Sequence, residues 1–267
     1  MYYNNAGAAD GQQATSVWDS SFKLVQHLKE TSGTTTADST SGANTGTKVA
    51  ATEPNPTTSG KVNGAQDFDG SNDKITLANE PNFDFEWSVP MSVCSWIKLD
   101  TVTSGQVIVS KFIGNTGWEF STADDSGGDG VRFWVANYVP NGVYITAYVS
   151  NVLTAATWHH ACVTYTGSGA ASGVTFYVDG TARTQSGTAG SLNGNSTLNN
   201  DSATIGARPN SALPLDGVID EVRVSNVARS ADWVEAEYLF TTDSSKYTYG
   251  TEDGEWVFKD NATPADG

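Results

Sequence analysis

The chain has 267 residues, of which 14 are lysine or arginine and 30 are aspartate or glutamate, so its formal net charge at pH 7 is −16. This acidic balance argues against a nucleic-acid-binding protein and against attachment to anionic membranes, because both kinds of partner attract basic surfaces. Aromatic residues make up 10% of the chain and charged residues only 16%. Such a composition favours a folded, turn-rich domain over a disordered polyanion, and no apolar stretch is long enough to span a membrane.

Short runs of β-branched and aromatic residues follow one another along the first hundred residues. They predict strands at 17–18, 22–25, 67–69, 74–77 and 92–99. The stretches 31–47 and 52–64 are rich in Thr, Ser, Gly, Asn and Pro. We expect these two stretches to be long surface loops.

Two dipeptides in the second half predict β-hairpins. Asn141-Gly142 and Asp179-Gly180 each stand between two β-prone runs, and both supply the positive φ angles that a type I′ turn needs. Ser230 precedes the one good helical pattern, near 230–238, and is a favoured N-cap residue. Trp96 and Trp158 are predicted to lie in the core.

Strands at this spacing, with such turns, indicate an all-β fold in which two antiparallel sheets form a sandwich. We expect the sandwich to cover residues 17–240. Residues 1–16 are predicted to be the tail of a preceding domain or a linker, and 241–267 a polar C-terminal extension. The first residues show no basic segment followed by an apolar one, so we expect the sequence to be a piece of a longer protein.

Cys94 and Cys162 are the two cysteines of the chain. Each lies within an apolar strand pattern, and two cysteines do not make a zinc site without further ligands. Two buried thiols and a single disulfide bridge are both compatible with the sequence.

Four stretches, in order and at the right spacing, match one known family: 68–75, 92–98, 158–180 and 215–230. They include Phe68-Asp69-Gly70-Ser71-Asn72-Asp73 and Ile219-Asp220-Glu221-Val222-Arg223. Over roughly 17–240 the chain resembles the laminin-G-like, or concanavalin A-like, lectin/glucanase superfamily in its bacterial and phage branch. The resemblance implies a jelly-roll sandwich with one curved sheet, at an extracellular, cell-surface or virion-surface location.

A carbohydrate site is predicted from the alternation of side chains after residue 131. Phe133 and Val135 are expected to face the core, which directs their neighbours toward an open face. The expected sugar-binding residues are Trp118, Arg132, Trp134, Asn137 and Tyr144.

A structural Ca²⁺ ion is also expected, because relatives often carry one that joins an early loop to an acid of the last strand. The resemblance assigns Asp220 to that acid. Loop position and the preference of Ca²⁺ for oxygen ligands add four more candidates, which are Asp38, Asp69, Asn72 and Asp73. The competing interpretation is that these side chains cap their own turns.

Catalysis is not expected. Trp158-His159-His160 directs its two imidazoles to opposite faces of a strand. Asp84 with Glu86, and the acids of 252–255, lack the carboxylate spacing of the related glucanases. We therefore expect a non-catalytic, calcium-stabilised recognition module that binds carbohydrate or a surface partner within a larger protein. The alternatives are a structural, decorating or adhesion domain of a phage particle, fibre or filament and, less favoured, a glycan-cleaving enzyme.

Overall fold

The computed structural model describes residues 14–49, 52–103, 105–122, 128–137, 143–192, 194, 196–243, 247–249 and 256–258. In chain order the strands are β1 (Phe22–Gln26), β2 (Thr35–Thr36), β3 (Gly46–Lys48), β4 (Asn55–Thr57), β5 (Ala65–Asp69), β6 (Ile75–Leu77), β7 (Met91–Leu99), β8 (Gln106–Ile113), β9 (Thr116–Thr122), β10 (Val131–Asn137), β11 (Tyr144–Val149), β12 (His159–Tyr165), β13 (Val174–Val178), β14 (Thr181–Arg183), β15 (Gly187–Ala189), β16 (Thr204–Ile205), β17 (Asp216–Ser225), β18 (Tyr247–Tyr249) and β19 (Trp256–Phe258). The α-helices are α1 (Ala14–Val17) and α2 (Ala231–Thr242).

Seventeen of these strands form two antiparallel sheets. The first sheet has the order β14-β13-β12-β7-β17-β5-β4, with β1 also paired to β17, and the second has the order β15-β11-β10-β9-β8-β16-β6-β3-β2. Strands β18 and β19 pair with each other. The predicted two-sheet β-sandwich is therefore confirmed, and the structure has the architecture of a concanavalin A-like jelly roll.

Side chains of the central strands alternate between the core and the outer face, and the inward ones pack between the two sheets. In β7 the side chains of Met91, Val93, Ile97 and Leu99 enter the core, and in β10 those of the residues flanking Trp134 do the same. Each such burial removes a whole apolar side chain from water and contributes about 1.5–3 kcal/mol. Polar and aromatic residues at the intervening positions are thereby placed on the outer faces.

Several predicted elements differ from the structure. Residues 14–17 form the short helix α1, so the predicted strand at 17–18 is wrong. The stretches expected to be loops contain β2, β3 and β4. These strands are two or three residues long and depend on pairing with neighbouring strands, which local composition does not reveal. Pro56 is tolerated in β4 because β4 is an edge strand.

The turn and cap predictions are better supported. Asp179 and Gly180 have φ values of 54° and 73°, as a type I′ turn requires. The Ser230 hydroxyl accepts a hydrogen bond from the Trp233 N–H at 3.2 Å. Helix α2 ends at Thr242, four residues after the predicted end. Residues 141–142 lie outside the described part of the chain, and the division into 1–16, 17–240 and 241–267 stays a prediction.

The two predicted core tryptophans have different surroundings. Trp96 is 2% exposed, although it lies on the outer face of the first sheet, beneath α2, where its ring stacks on that of Tyr238. Trp158 is only half-buried, and the Lys98 ammonium lies 5.7 Å from its ring. Its assignment to the core was wrong because it precedes β12, where strand alternation does not yet apply.

Cys94 and Cys162 form a disulfide between the neighbouring strands β7 and β12. The two residues face each other directly in the register, and their Cα atoms are 4.1 Å apart. This decides between the two alternatives that the sequence left open. The bridge is buried against Val234 of α2. No helix in the described part of the chain is long and apolar enough to cross a membrane.

Gly117 in β9 provides a test of the close approach between β8 and β9. A Cβ atom at Gly117 would lie 1.8 Å from the Lys111 carbonyl oxygen, whereas one at Gly114 would meet nothing within 4 Å. Both glycines have positive φ, so Gly114→Ala is a matched control and should cost about 1 kcal/mol of unfolding free energy. Gly117→Ala should cost about 3 kcal/mol or more, as measured by urea unfolding. Equal effects of the two substitutions would contradict the close approach.

Candidate functional site

The outer face of the second sheet carries a cluster of aromatic rings centred on Trp134, in which Trp134 and Tyr144 are partly exposed and Phe112 is buried. Trp134 is opposite Glu119 in β9 and Thr146 in β11, so its side chain points away from the core that Phe133 enters. We call Phe112, Trp134 and Tyr144 together the aromatic face. Their ring centroids lie 5.4 Å apart for the Phe112–Trp134 pair and 6.0 Å apart for the Trp134–Tyr144 pair.

A buried carboxylate holds two arginines beside the aromatic face. Glu119 is fully buried, and it accepts hydrogen bonds from Arg208 at 2.5 and 3.1 Å. The Arg132 guanidinium lies 3.5 Å from the same carboxylate. Arg132 also lies 5.1 Å from the centre of the Trp134 ring, and Arg208 4.7 Å from that of Phe112. Two positive charges facing one negative charge leave this region positive, in a chain that is acidic overall.

The Trp134 indole has an unused donor. Its Nε1 atom is shielded from solvent and has no hydrogen-bond partner among the described residues. A buried N–H that is left unpaired costs free energy. Because the Nε1 atom is shielded from solvent, the side of the indole that a ligand can reach is its ring rather than this donor.

Two of the predicted sugar-binding residues have other roles. Trp118 is 1% exposed and lies in the core, where its Nε1–H donates to the Phe83 carbonyl at 3.0 Å. It alternates with Glu119 along β9 and therefore faces inward, so its assignment to an open face was wrong. Asn137 ends β10 and donates a side-chain hydrogen bond to the Ser196 carbonyl, which ties it to a neighbouring loop.

The predicted calcium ligands do not form one group. Asp69, Asn72 and Asp73 share one turn, in which the Asp69 carboxylate accepts from the Ser71 N–H and Asp73 accepts from the Asp69 N–H. Asp69 is opposite Asp216 in the strand register. Asp220 lies four residues further along β17, about 13 Å away at the usual strand rise. Asp69 and Asp220 are therefore too far apart to share one ion.

Asp38 and Asp220 each bind backbone N–H groups. The Asp38 carboxylate accepts from Val25, Thr40 and Asn44. Asp220 accepts from Val62 and Glu221, each at 2.8 Å. In each case the carboxylate fixes a nearby loop, so an ion is not needed to explain why an acid occupies the position.

The turn at Asp73 is crowded with negative charge. Burial raises the pKa of Asp73 above its usual value, and the neighbouring acids Asp69, Asp67 and Glu53 raise it further. The pKa of Asp67 is also raised, by burial first and then by Asp100 and Asp216. A cation bound here would relieve this repulsion.

The residues considered for catalysis have structural partners. The Nδ1 atom of His159 lies 2.8 Å from Asp179, and its Nε2 accepts the Thr154 N–H, which fixes the proton on Nδ1. His160 is buried beneath α2. Asp84 accepts from Lys111, and Glu86 accepts from the Thr197 N–H. The acids of 252–255 lie outside the described residues.

A second surface feature lies between residues 17–22 and α2. It is a groove of about 470 Å³, and Val17, Trp233 and Phe240 stand exposed along it. Trp18 and Phe22 complete its apolar wall. No pattern in the sequence identified it, because its two sides are more than 200 residues apart.

Residues 69–235 match the family Laminin_G_3, the concanavalin A-like lectin/glucanases superfamily. The chain belongs to this family. None of the curated proteins compared with the chain resembles it significantly in sequence. The Laminin_G_3 match includes β10 and β17, and therefore most of the residues discussed above.

Several solved structures share the Laminin_G_3 fold of this chain. The binding domain of Paraclostridial Mosquitocidal Protein 1 has a TM-score of 0.57 and 12% identity, over 88% of this chain and 62% of that one. The botulinum neurotoxin serotype G binding domain has a TM-score of 0.59 and 13% identity, over 85% and 52%. The binding domain of botulinum neurotoxin DC, in complex with rat synaptotagmin II, has a TM-score of 0.54 and 14% identity, over 84% and 52%. This chain thus spans about half to three-fifths of the length of these structures.

Asp220 predicts a pH dependence of stability. Burial raises its pKa from 3.8 to about 7, against the opposing effect of its backbone N–H partners. The folded protein thus keeps this proton to higher pH than the unfolded chain does, so the stabilisation is largest near pH 4 and is lost as the pH rises through about 7. Asp220→Asn should flatten the decline in unfolding free energy between about pH 4 and about pH 7, as measured by urea unfolding. The exposed Asp232→Asn should leave the decline unchanged, and a decline that persists in Asp220→Asn would contradict the assignment.

Proposed function

We propose that this chain is a non-catalytic recognition module that binds carbohydrate on its aromatic face. The observation that carries the proposal is the half-exposed Trp134 ring between Phe112 and Tyr144, beside two arginines fixed on a buried glutamate. Binding sites commonly combine an apolar platform with a few polar groups held in place. This face has both.

The chemistry of a sugar ring suits these groups. One side of a pyranose presents C–H groups that pack against an aromatic ring, while its hydroxyls require hydrogen-bond partners at the edge. Here Trp134 provides the platform. The guanidiniums of Arg132 and Arg208 provide donors, and because Glu119 already orders them they lose little freedom on binding.

The family and the solved structures support a binding role. The superfamily includes lectins, and the solved structures reported above are binding domains. We extend that role to this chain and place it on a secreted or surface-exposed protein. The proposal that the ligand is a carbohydrate is based on the aromatic face alone.

Two substitutions test the sugar-binding face on a glycan array. Trp134→Ala and Tyr144→Ala should each weaken binding at least tenfold, which corresponds to about 1.4 kcal/mol, while the melting temperature changes little. Trp233→Ala removes a partly exposed tryptophan from the distant groove and should bind as the parent does. If both variants of the aromatic face bind like the parent, the ligand lies elsewhere.

Calcium remains part of the proposal as a stabilising ion at the acidic turn of Asp69, Asn72 and Asp73. The supporting observation is the mutual repulsion of the acids around Asp73. If Ca²⁺ binds the folded protein alone, its removal by EDTA should lower the melting temperature, and Asp73→Asn should abolish the difference between the two conditions. An unchanged midpoint in EDTA would exclude a structural ion.

A structural role in an assembly is the second candidate function. The observation that favours it is the exposed apolar groove along α2, because exposed patches of this kind commonly mark contacts between proteins. Copies of this chain that associate through the groove would appear as oligomers in light scattering, and Trp233→Ala would dissociate them. Oligomers without any glycan binding would favour this role over carbohydrate recognition.

A further inference from the structure

Four side chains capable of binding a metal converge beneath α2, on the outer face of the first sheet. They are Cys94, His160, Cys162 and Glu237, whose ligand atoms all lie within 4.8 Å of one another. We call them the sulfur–histidine cluster. Within the described part of the chain it is the one such group of three or more His, Cys or carboxylate residues. It is separate from the aromatic face, which belongs to the other sheet.

Strand register and helix position bring the cluster together. Cys94 and Cys162 face each other across β7 and β12. His160 precedes Cys162 by two residues and therefore lies on the same face, with its Nε2 atom 3.6 Å from the Cys162 sulfur. The side chain of Glu237, on α2, places its Oε2 atom 4.0 Å from the Nε2 atom of His160.

The polar atoms of the cluster are poorly satisfied by the protein itself. The Oε2 atom of Glu237 is shielded from solvent and has no hydrogen-bond partner among the residues that the structure describes, while its Oε1 is held by Arg223 at 3.1 Å. The Glu237 side chain is 9% exposed. A buried carboxylate oxygen without a partner is costly, and it points at the cluster.

The imidazole is in the form that binds metals. Burial lowers the pKa of His160 to about 3, and the positive charge of Arg223 adds to the effect, so the ring is neutral at physiological pH. The His160 ring packs against the rings of Trp96 and Tyr238, which also stack on each other.

We propose that reduction of the disulfide converts the sulfur–histidine cluster into a binding site for one Zn²⁺ or similar divalent ion. Two thiolates, an imidazole and a carboxylate make up a set of four ligands that suits tetrahedral zinc. In such a site sulfur and nitrogen ligands stand about 3.5 Å apart and the two sulfurs about 3.8 Å apart. The nitrogen of His160 and the sulfur of Cys162 already have the required separation. The two sulfurs must move apart after the S–S bond breaks.

The conversion balances with a phosphine as the reductant and water as the second reactant. A phosphine reductant gives two electrons to the S–S bond and becomes a phosphine oxide with oxygen from water, while each sulfur gains a proton. The metal ion then displaces both thiol protons. The ligands carry three negative charges and Zn²⁺ two positive ones, and the remaining negative charge lies beside Arg223, which pairs with both Glu221 and Glu237.

Cobalt is the probe, because Co²⁺ occupies zinc sites and absorbs visible light when tetrahedral. The full chain is reduced with the phosphine, its two free thiols are verified with a thiol reagent, and Co²⁺ is titrated. We expect one Co²⁺ per chain, with a thiolate-to-cobalt charge-transfer band that excess Zn²⁺ removes. The oxidised protein should show no such band.

A pair of glutamates on α2 gives the matched comparison. Glu237→Gln should weaken Co²⁺ binding at least tenfold, whereas Glu235→Gln, on the same helix but outside the cluster, should bind like the parent. If the reduced chain loses its fold, Zn²⁺ should restore the circular dichroism and melting transition of the native protein. A folded, fully reduced chain without the charge-transfer band, failure of Zn²⁺ to restore a reduced and unfolded one, or unchanged affinity in Glu237→Gln would each overturn the proposal.

Discussion

The two faces of each sheet impose the constraint on which the rest of this structure depends. Side chains alternate across a strand. A sheet that packs one face into the shared core therefore has a second face that is either covered by another element or exposed to solvent. The first sheet covers its second face with α2, which shelters Trp96 and the disulfide. In the described part of the chain no helix covers the outer face of the second sheet, and that face carries Trp134. The position of α2 over the first sheet therefore determines which outer face is buried and which carries the candidate binding site.

The distribution of charge also distinguishes two regions of the surface. The acidic turn near Asp73 concentrates negative charge, and two acids there, Asp67 and Asp73, have raised pKa values. The aromatic face has the opposite character, because Arg132 and Arg208 converge on the single buried Glu119. A net charge of −16 therefore does not describe the surface where we propose that ligand binds. Membership of the concanavalin A-like superfamily determines the fold, and the local charges and rings carry the functional argument.

Pairing between strands explains several elements that local sequence patterns did not predict. Strands β2, β3 and β4 are short and polar, and they exist because neighbouring strands satisfy their backbone hydrogen bonds. The position of Trp118 shows the limit of alternation as a predictor. Its inward direction depends on the phase of β9, and a shift of one residue exchanges the two faces of a strand. The prediction for Trp134 was correct about direction because Phe133 and Val135 fix the phase of β10.

The sequence by itself determined the β-sandwich, the family, the type I′ turn at Asp179-Gly180 and the cap at Ser230. These depend on residue type and spacing within a few positions, which a linear pattern records. Only the tertiary structure decided that Cys94 and Cys162 are bonded, that Glu237 reaches His160, and that Asp69 and Asp220 stand apart. Each of these facts depends on the register of strands distant in sequence or on where α2 lies across them. Such long-range geometry comes from the packing of the whole domain, which no local stretch of residues specifies.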